Sequence, residues 1–467
     1  MVEELNPQNP HADTNTLDKC PNCGATDVKF IPGEGIVCSY CHHTWQPVYA
    51  NDEDVASLSG IHIAEGAQEI NQEASTIITM KCSACGAEVS VDTSESLQAR
   101  CHWCRHTLSV NDQIPNGAVP DYILPFELNK QTAQSNIEAY VNKRKFYANP
   151  QFKAEFSSEN IMGVYFPYML ADINGQAFLS GQGEHKTRSY TVKVGKNERR
   201  YYDADVYDIS RSFDLAVDDL TIESSTEHMN LDRKANSNNI INAILPFPTK
   251  QKQPFKAAYL KGFNSEKRDA NVGHVRELVE KQTRDIARAK ANETTKFYDR
   301  GVRWDEVNVQ TKGESWATAF LPVWLYSFLE QRKNGNGFLH YVALNACTGE
   351  IVGSVPINKK KLFLVSFLIG LLSLACAVSA FLLTVSAASV EHRNKAIFWF
   401  LLLVAGPLYY FIIYSRYRNQ SKRHTYEKET ICAVSNLQQT DHRVSSIKGT
   451  SSSTMHGANA GRLEGQR

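Results

Sequence analysis

The sequence predicts a multidomain protein: two small cysteine-rich β modules, a central α+β region, a C-terminal pair of apolar helices and a disordered tail. Three observations support this fold class. Eight of the 11 cysteines form C-x-x-C pairs near the N-terminus, helical and strand-like periodicities alternate in the middle, and two long apolar stretches follow. The 50 basic residues balance the 50 acidic ones, so no global field draws the chain to nucleic acid or anionic lipid.

The chain begins with residues 1–18, which are polar and rich in Asn and Pro. We expect a disordered lead-in, because these residues have almost nothing to bury. They contain no apolar run of the kind that a cleavable signal peptide requires.

The cysteine pairs come next, in two sets whose members are separated by 14 and 15 residues. β-formers and turn residues fill both intervals, so a hairpin would bring the two pairs of a set together. Four thiolates complete the tetrahedral shell of Zn²⁺ and leave no place for a reactive water. We therefore predict two structural zinc sites, in zinc ribbons over 19–45 and 81–110. The predicted ligands are Cys20, Cys23, Cys38, Cys41, Cys82, Cys85, Cys101 and Cys104.

Two alternatives to zinc are disulfides and redox dithiols. A reducing compartment disfavours disulfides, and a redox C-x-x-C needs a βαβ context that is missing here. The histidines beside the pairs are interpreted as exposed groups or as hydrogen-bond donors to the ligands. They are His42, His43, His102 and His106. Residues 46–80, which are acidic, are predicted to be a linker.

The central region is predicted to contain two related α+β units, 120–240 and 241–358. "YILPFEL" and "VYFPYMLADI" in the first unit resemble "AILPFPT" and "AFLPVWLYSF" in the second. Chance recurrence of apolar strands with a proline is the alternative. Helical spacing of apolar residues predicts helices near 133–143 and over 271–296, the second lying on a sheet.

Two apolar stretches, 362–386 and 396–415, carry no charged residue. About 20 apolar residues cross a bilayer as a helix, so they predict a two-helix transmembrane hairpin, with a buried core hairpin as the alternative. The outer flanks are more basic than the short loop, which predicts a multi-pass plasma-membrane protein with both termini in the cytoplasm. Residues 427–467 are predicted to be a disordered cytoplasmic tail.

Residues 20–45 resemble a TFIIB-type zinc ribbon. Together with the second cysteine set, the Leu-Pro-x-Trp-Leu and Thr-Gly-Glu-Ile-Val-Gly elements and the apolar segment, they resemble an uncharacterised bacterial family of zinc-ribbon membrane proteins. The resemblance implies a cytoplasm-facing anchor in an envelope-stress system, with partners of the stomatin or flotillin type and phage shock protein A.

No common catalytic motif is present, so we expect no enzyme. Acidic pairs such as Asp218 with Asp219, or Asp203 with Asp205, are interpreted as solvated residues. The predicted function is a membrane-anchored scaffold that binds a cytoplasmic or membrane protein. The alternatives are a nucleic-acid-binding protein, which the balanced charge of the ribbons disfavours, and an accessory subunit of a membrane enzyme or transporter. A homo-oligomer is compatible with the sequence.

Overall fold

A computed structural model describes most of the chain. The described residues are 20–25, 27–46, 49–50, 54–68, 77–81, 88–92, 99–103, 105, 107–108, 113–114, 119–194, 197–225, 244–255, 257–260, 262–266, 268–331, 337–386, 404–418 and 425–450. The strands are β1 Val28–Ile31, β2 Gly35–Cys38, β3 Thr44–Trp45, β4 Gly60–Ile63, β5 Ile77–Lys81, β6 Glu88–Asp92, β7 Ala99–Arg100, β8 Thr107–Leu108, β9 Gln113–Ile114, β10 Tyr122–Ile123, β11 Met162–Val194, β12 Asn197–Glu223, β13 Gln253–Pro254, β14 Asn264–Glu266, β15 Gly301–Gln331, β16 Gly337–Asn345, β17 Ile351–Gly353 and β18 Ile431–Thr450. The helices are α1 Lys130–Asn142, α2 Pro150–Glu155, α3 Val272–Glu293, α4 Lys359–Ser386, α5 Ala405–Arg418 and α6 Tyr426–Glu429.

One large, curled β-sheet dominates the central region. Its centre is β11, a strand of 33 residues that runs antiparallel to β12 on one side and to β15 on the other. At about 3.3 Å per residue, β11 has a contour length of about 110 Å. The predicted α+β fold class is therefore wrong for the central region, which is mostly β, and strands of both predicted units join one sheet.

The two similar stretches around Pro167 and Pro322 occupy equivalent places in this sheet. Pro167 of β11 lies opposite Phe320 of β15, and Tyr165 lies opposite Pro322. At each proline the strand changes the partner on its outer side. Before Pro167, β11 pairs with β14, and after it with β12. Before Pro322, β15 pairs with β10, and after it with β16. Proline has no backbone N–H to donate to a neighbouring strand. Where one neighbouring strand ends and the next begins, this N–H is not needed, which explains a proline inside a long central strand.

One face of the sheet is covered by α3, which confirms the helix predicted over 271–296 and its position on a sheet. Apolar residues alternate along β11, and Ile173 and Leu179 pack against Val275 and Ile286 of α3. Trp316 of β15 is fully buried in the same cluster. The opposite face of this part of the sheet is polar, as expected for an antiparallel sheet with one solvated side.

Two segments outside the predicted domains also join the sheet. Within the predicted acidic linker, β4 pairs in parallel with residues 313–316 of β15. The predicted disordered tail contains β18, which pairs with β12 between Asp218 and Tyr201. The salt bridge between buried Arg211 of β12 and Asp441 of β18 fixes this edge, and Arg211 also donates to Thr294 at 2.8 Å. The predicted tail is thus structured over residues 431–450.

Among the described residues, one helix is long and apolar enough to cross a membrane, over Lys359–Ser379 of α4. The 14 residues of α5 fall short of the roughly 20 that a bilayer requires. The predicted two-helix transmembrane hairpin is therefore wrong, and 396–403 of the second predicted span lie outside the described residues. The inference that both termini are cytoplasmic required two spans and is not supported. α5 packs against α4 where Gly406 meets Gly370.

Candidate metal centre

The first cysteine set is formed by two tight turns and a hairpin. Cys20 and Cys23 precede β1, whereas Cys38 ends β2 and Cys41 follows it; β1 and β2 pair from Val28–Cys38 to Ile31–Gly35. The N–H of Gly24 donates to the Cys20 carbonyl at 2.8 Å, and the N–H of His42 donates to the Cys38 carbonyl at 3.1 Å. Both turns therefore have the same hydrogen-bonded shape.

Both turns end on a residue in the left-handed region. Gly24 has a φ of 74° and His42 a φ of 56°. Glycine adopts this conformation without strain, whereas a residue with a side chain, such as His42, does so at a cost. The turns face each other across the hairpin, and this brings the four sulfur atoms together.

The sulfur atoms form a compact cluster. The Sγ atoms of Cys20 and Cys41 are 3.5 Å apart, those of Cys23 and Cys38 are 3.6 Å apart, and all four lie within 4.8 Å of one another. A tetrahedron with Zn–S bonds of about 2.3 Å has edges of about 3.8 Å. The donor type, the number of donors and their spacing therefore fit a zinc ion.

Hydrogen bonds to sulfur favour the thiolate form that a metal needs. The His43 backbone N–H and the Asn22 side chain lower the pKa of Cys41 to about 6. The Ala25 backbone N–H lowers the pKa of Cys23, but the other thiols and desolvation outweigh it and raise this pKa to about 12. Without a metal, one thiolate therefore discourages ionisation of its neighbours, and a cation would relieve this repulsion.

The ribbon is packed against the central region. Phe30 of β1 lies 5.3 Å from Tyr259, measured between ring centroids. Buried Cys20 and Cys38 belong to the same apolar cluster as Phe126 and Trp324. Loss of the metal would therefore disturb the core as well as the ribbon itself.

The second predicted set is only partly described, since Cys82, Cys85 and Cys104 lie outside the described residues. Cys101 is fully buried, the N–H of Arg105 donates to its carbonyl at 2.7 Å, and Arg105 has a φ of 62°. This is the turn shape found at Cys20 and Cys38. One four-cysteine group is thus brought together among the described residues, against the two that were predicted.

The turn at Cys101 is buried against the central region. His102 and Trp103 are buried, and both contact the carboxylate of Glu266, His102 at 3.2 Å. The guanidinium of Arg105 lies over the ring of Tyr326 at 4.4 Å. His102 is therefore a buried partner of a carboxylate, whereas His42 and His43 are exposed.

An ionic cluster that the sequence did not predict lies where β11 meets β12. The carboxylates of Asp172, Asp218 and Asp219 lie within 4.8 Å of one another. Lys252 binds Asp219 at 2.8 Å and Lys250 binds Asp218. Desolvation and the nearby Asp219 raise the pKa of Asp172 to about 7. Asp219 was expected to be solvated but is buried, and only the fold brings the distant lysines to it.

The chain is similar in sequence to an uncharacterized bacterial protein. No family model and no solved structure matches the chain. The chain is 23% identical over 251 residues to the uncharacterized protein YdjG of Bacillus subtilis (strain 168), covering 54% of this chain and 67% of that protein. The identification of a zinc ribbon therefore rests on the metal centre itself, because the cluster of Cys20, Cys23, Cys38 and Cys41 fits one.

Proposed function

We propose that this protein is a zinc-ribbon scaffold rather than an enzyme. Attached to a membrane through α4, it binds a protein partner on the polar face of its sheet. The zinc site has a structural role here, because four thiolates close the coordination sphere. The likeness of the Cys101 turn to the turns of the first set supports a second, TFIIB-type ribbon. A cytoplasmic location suits both sites, since thiolates persist in a reducing compartment.

The observation that carries this proposal is an exposed phenylalanine in a polar sheet surface. Phe178 of β11 is 37% exposed, and its direct neighbours are Ser212 of β12 and Asn308 of β15. Directly opposed residues project from the same face, so Phe178 stands among short polar side chains. Ser180 and Asn308 on this face are also exposed.

An exposed aromatic side chain is the type of group that anchors a protein interface. Binding energy in interfaces concentrates in a few aromatic or arginine side chains surrounded by polar groups. The sheet is rigidly supported from behind by α3, so a partner would meet a preformed surface.

Site-specific photocrosslinking tests the proposal. A photoreactive phenylalanine analogue is placed at Ser180 or Asn308 on the polar face, and at exposed Lys281 of α3 as the control. The full-length variants are expressed in the native host and irradiated in cells. We expect one protein to crosslink from both face positions and not from Lys281, and Phe178→Ser to reduce its yield at least fivefold.

Two results would contradict the proposal. One is the absence of any adduct that is specific to the polar face. The other is an adduct whose yield is unchanged by Phe178→Ser while the variant remains folded, as judged by its thermal transition.

A further inference from the structure

A second feature, outside the metal centre and the polar sheet face, is a cleft at the base of α4. It has a volume of about 680 Å³ and lies between α1, the turn at Gly349 and the last turns of α5. Its lining residues, all in the described part of the chain, include three cations and no Asp or Glu. The cations are Lys143, Arg144 and Arg416.

The cations differ in their burial and in their contacts. The Arg144 guanidinium lies flat on the ring of Tyr140, 3.6 Å from its centroid, and donates to the Tyr140 carbonyl at 3.0 Å. Lys143, directly after α1, and Arg416 of α5 are exposed and line the cleft. One cation is thus held by its contacts with Tyr140, whereas the other two are exposed to a ligand from solvent.

More positive charge surrounds the cleft. Lys361 at the start of α4 donates to the Phe146 carbonyl at 2.9 Å and lies 3.8 Å from the Phe146 ring centroid. Desolvation lowers the pKa of Lys153, and the charges of Lys361 and Lys145 lower it further. These lysines do not line the cleft, but their charges add to the positive potential around it.

The cleft also lies where the apolar surface of the helices begins. Two residues beyond Lys361, α4 presents Phe363, which is 66% exposed, followed by Phe367 at 53%. On α5, Phe411 is 68% exposed and Arg416 follows one turn and a half later. An apolar surface bordered by cations matches the boundary between the acyl chains and the phosphate groups of a bilayer.

We propose that this cleft binds the phosphate-bearing headgroup of an anionic phospholipid, with Lys143, Arg144 and Arg416 as its cationic groups. Guanidinium groups bind phosphate oxygens in bidentate fashion, and exposed apolar residues of α4 and α5 would contact the acyl chains. The inference rests on the membrane attachment in the proposed function, but it is independent of the protein partner.

Lipid binding to the full-length protein in detergent tests this proposal. Phosphatidylglycerol and phosphatidylcholine are titrated separately, and bound lipid is counted by native mass spectrometry. We expect phosphatidylglycerol to bind at least tenfold more tightly than phosphatidylcholine. The double variant Lys143→Gln and Arg416→Gln should lose at least tenfold in affinity for phosphatidylglycerol. The control Lys281→Gln and Lys296→Gln removes the same charge on the exposed surface away from the cleft and should change the affinity less than twofold.

A second variant covers the case in which the double variant fails to fold. Ala139→Glu places a carboxylate on the cleft wall at an exposed helical position and should weaken phosphatidylglycerol binding to a similar extent. Equal affinity for the two lipids, or full affinity in both cleft variants, would overturn the proposal. Displacement of phosphatidylglycerol by an equal concentration of inorganic phosphate would identify a site for a soluble anion and would overturn it too.

Flotation of the wild-type protein with vesicles separates this failure from failure of the proposed function. A protein that floats with both lipids but binds them equally refutes the cleft alone. A protein that floats with neither lipid refutes the membrane attachment itself.

Discussion

Replacing Asp172 with Asn should stabilise the protein at neutral and alkaline pH. Burial and the neighbouring Asp219 raise the pKa of Asp172 from 3.8 to about 7. Below about pH 4 the carboxyl is protonated in both the native and the unfolded state. Between about pH 4 and 7 the unfolded state loses this proton first, so the native state binds more protons and the free energy of unfolding falls as pH rises.

The size of the effect follows from the same pKa. One pKa unit corresponds to about 1.4 kcal/mol, so the shift amounts to about 4 kcal/mol above pH 7. Because Asp172 is half-buried, we take this as an upper bound. The amide oxygen of Asn is able to accept the hydrogen bond that the Asp219 N–H donates at 2.7 Å. Asp172→Asn therefore removes the charge and keeps the contact.

Thermal unfolding of the full-length protein in detergent measures the effect of Asp172→Asn on stability. Tryptophan fluorescence follows the unfolding from pH 5 to pH 8. We expect the Tm of the variant to exceed that of the wild type at pH 8 by on the order of 5 °C, with the difference shrinking towards pH 5. Asp208→Asn on the exposed surface of β12 is the control and should leave the pH profile unchanged. A difference that does not vary with pH would refute the reasoning.

Three further predictions concern the metal, the sheet and its edge. Cys38→Ser should lower the zinc content by one ion per chain and lower the Tm, whereas Cys432→Ser should retain the zinc, as measured by elemental analysis. Gly181→Ala should destabilise the protein by about 2 kcal/mol, because its Cβ would collide with the backbone of β15. Gly273→Ala in α3 is the control, since its Cβ meets open space and should not destabilise the protein. Chemical denaturation compares the two variants. Asp441→Ala leaves the buried Arg211 guanidinium without its carboxylate and should speed proteolysis within residues 431–450. Unchanged cleavage within that segment would count against this role.

The metal centre was predictable because its signal is local. A C-x-x-C turn needs only its own residues, and the hairpin that joins two turns is short. The helix over 271–296 was predictable for the same reason, since its apolar period reflects one neighbouring surface. The position of Cys101 in the fold was harder to predict from the sequence, because its turn is held by Glu266 and by Tyr326 from distant parts of the chain.

The architecture of the sheet could not be read from local pattern. Strands as long as β11 contain stretches with polar residues or glycine on both faces, such as residues 180–188, and these lack the alternation that identifies a strand. β18 is mostly polar from residue 435 to residue 450, so its composition indicated disorder. Its order comes from backbone pairing with β12 and from the salt bridge to Arg211.

The position of β18 in the chain fixes an order of assembly during synthesis. It lies about 200 residues after the end of β12, beyond the apolar helix α4, yet it pairs directly with β12. At about 5–20 residues per second, a ribosome takes roughly 10–40 s to cover that interval. Throughout that time the outer edge of β12 lacks the partner it has in the finished sheet, and an open edge invites pairing with other chains. The sheet is therefore completed only after α4 has left the ribosome, which couples the folding of the domain to the fate of its apolar helix.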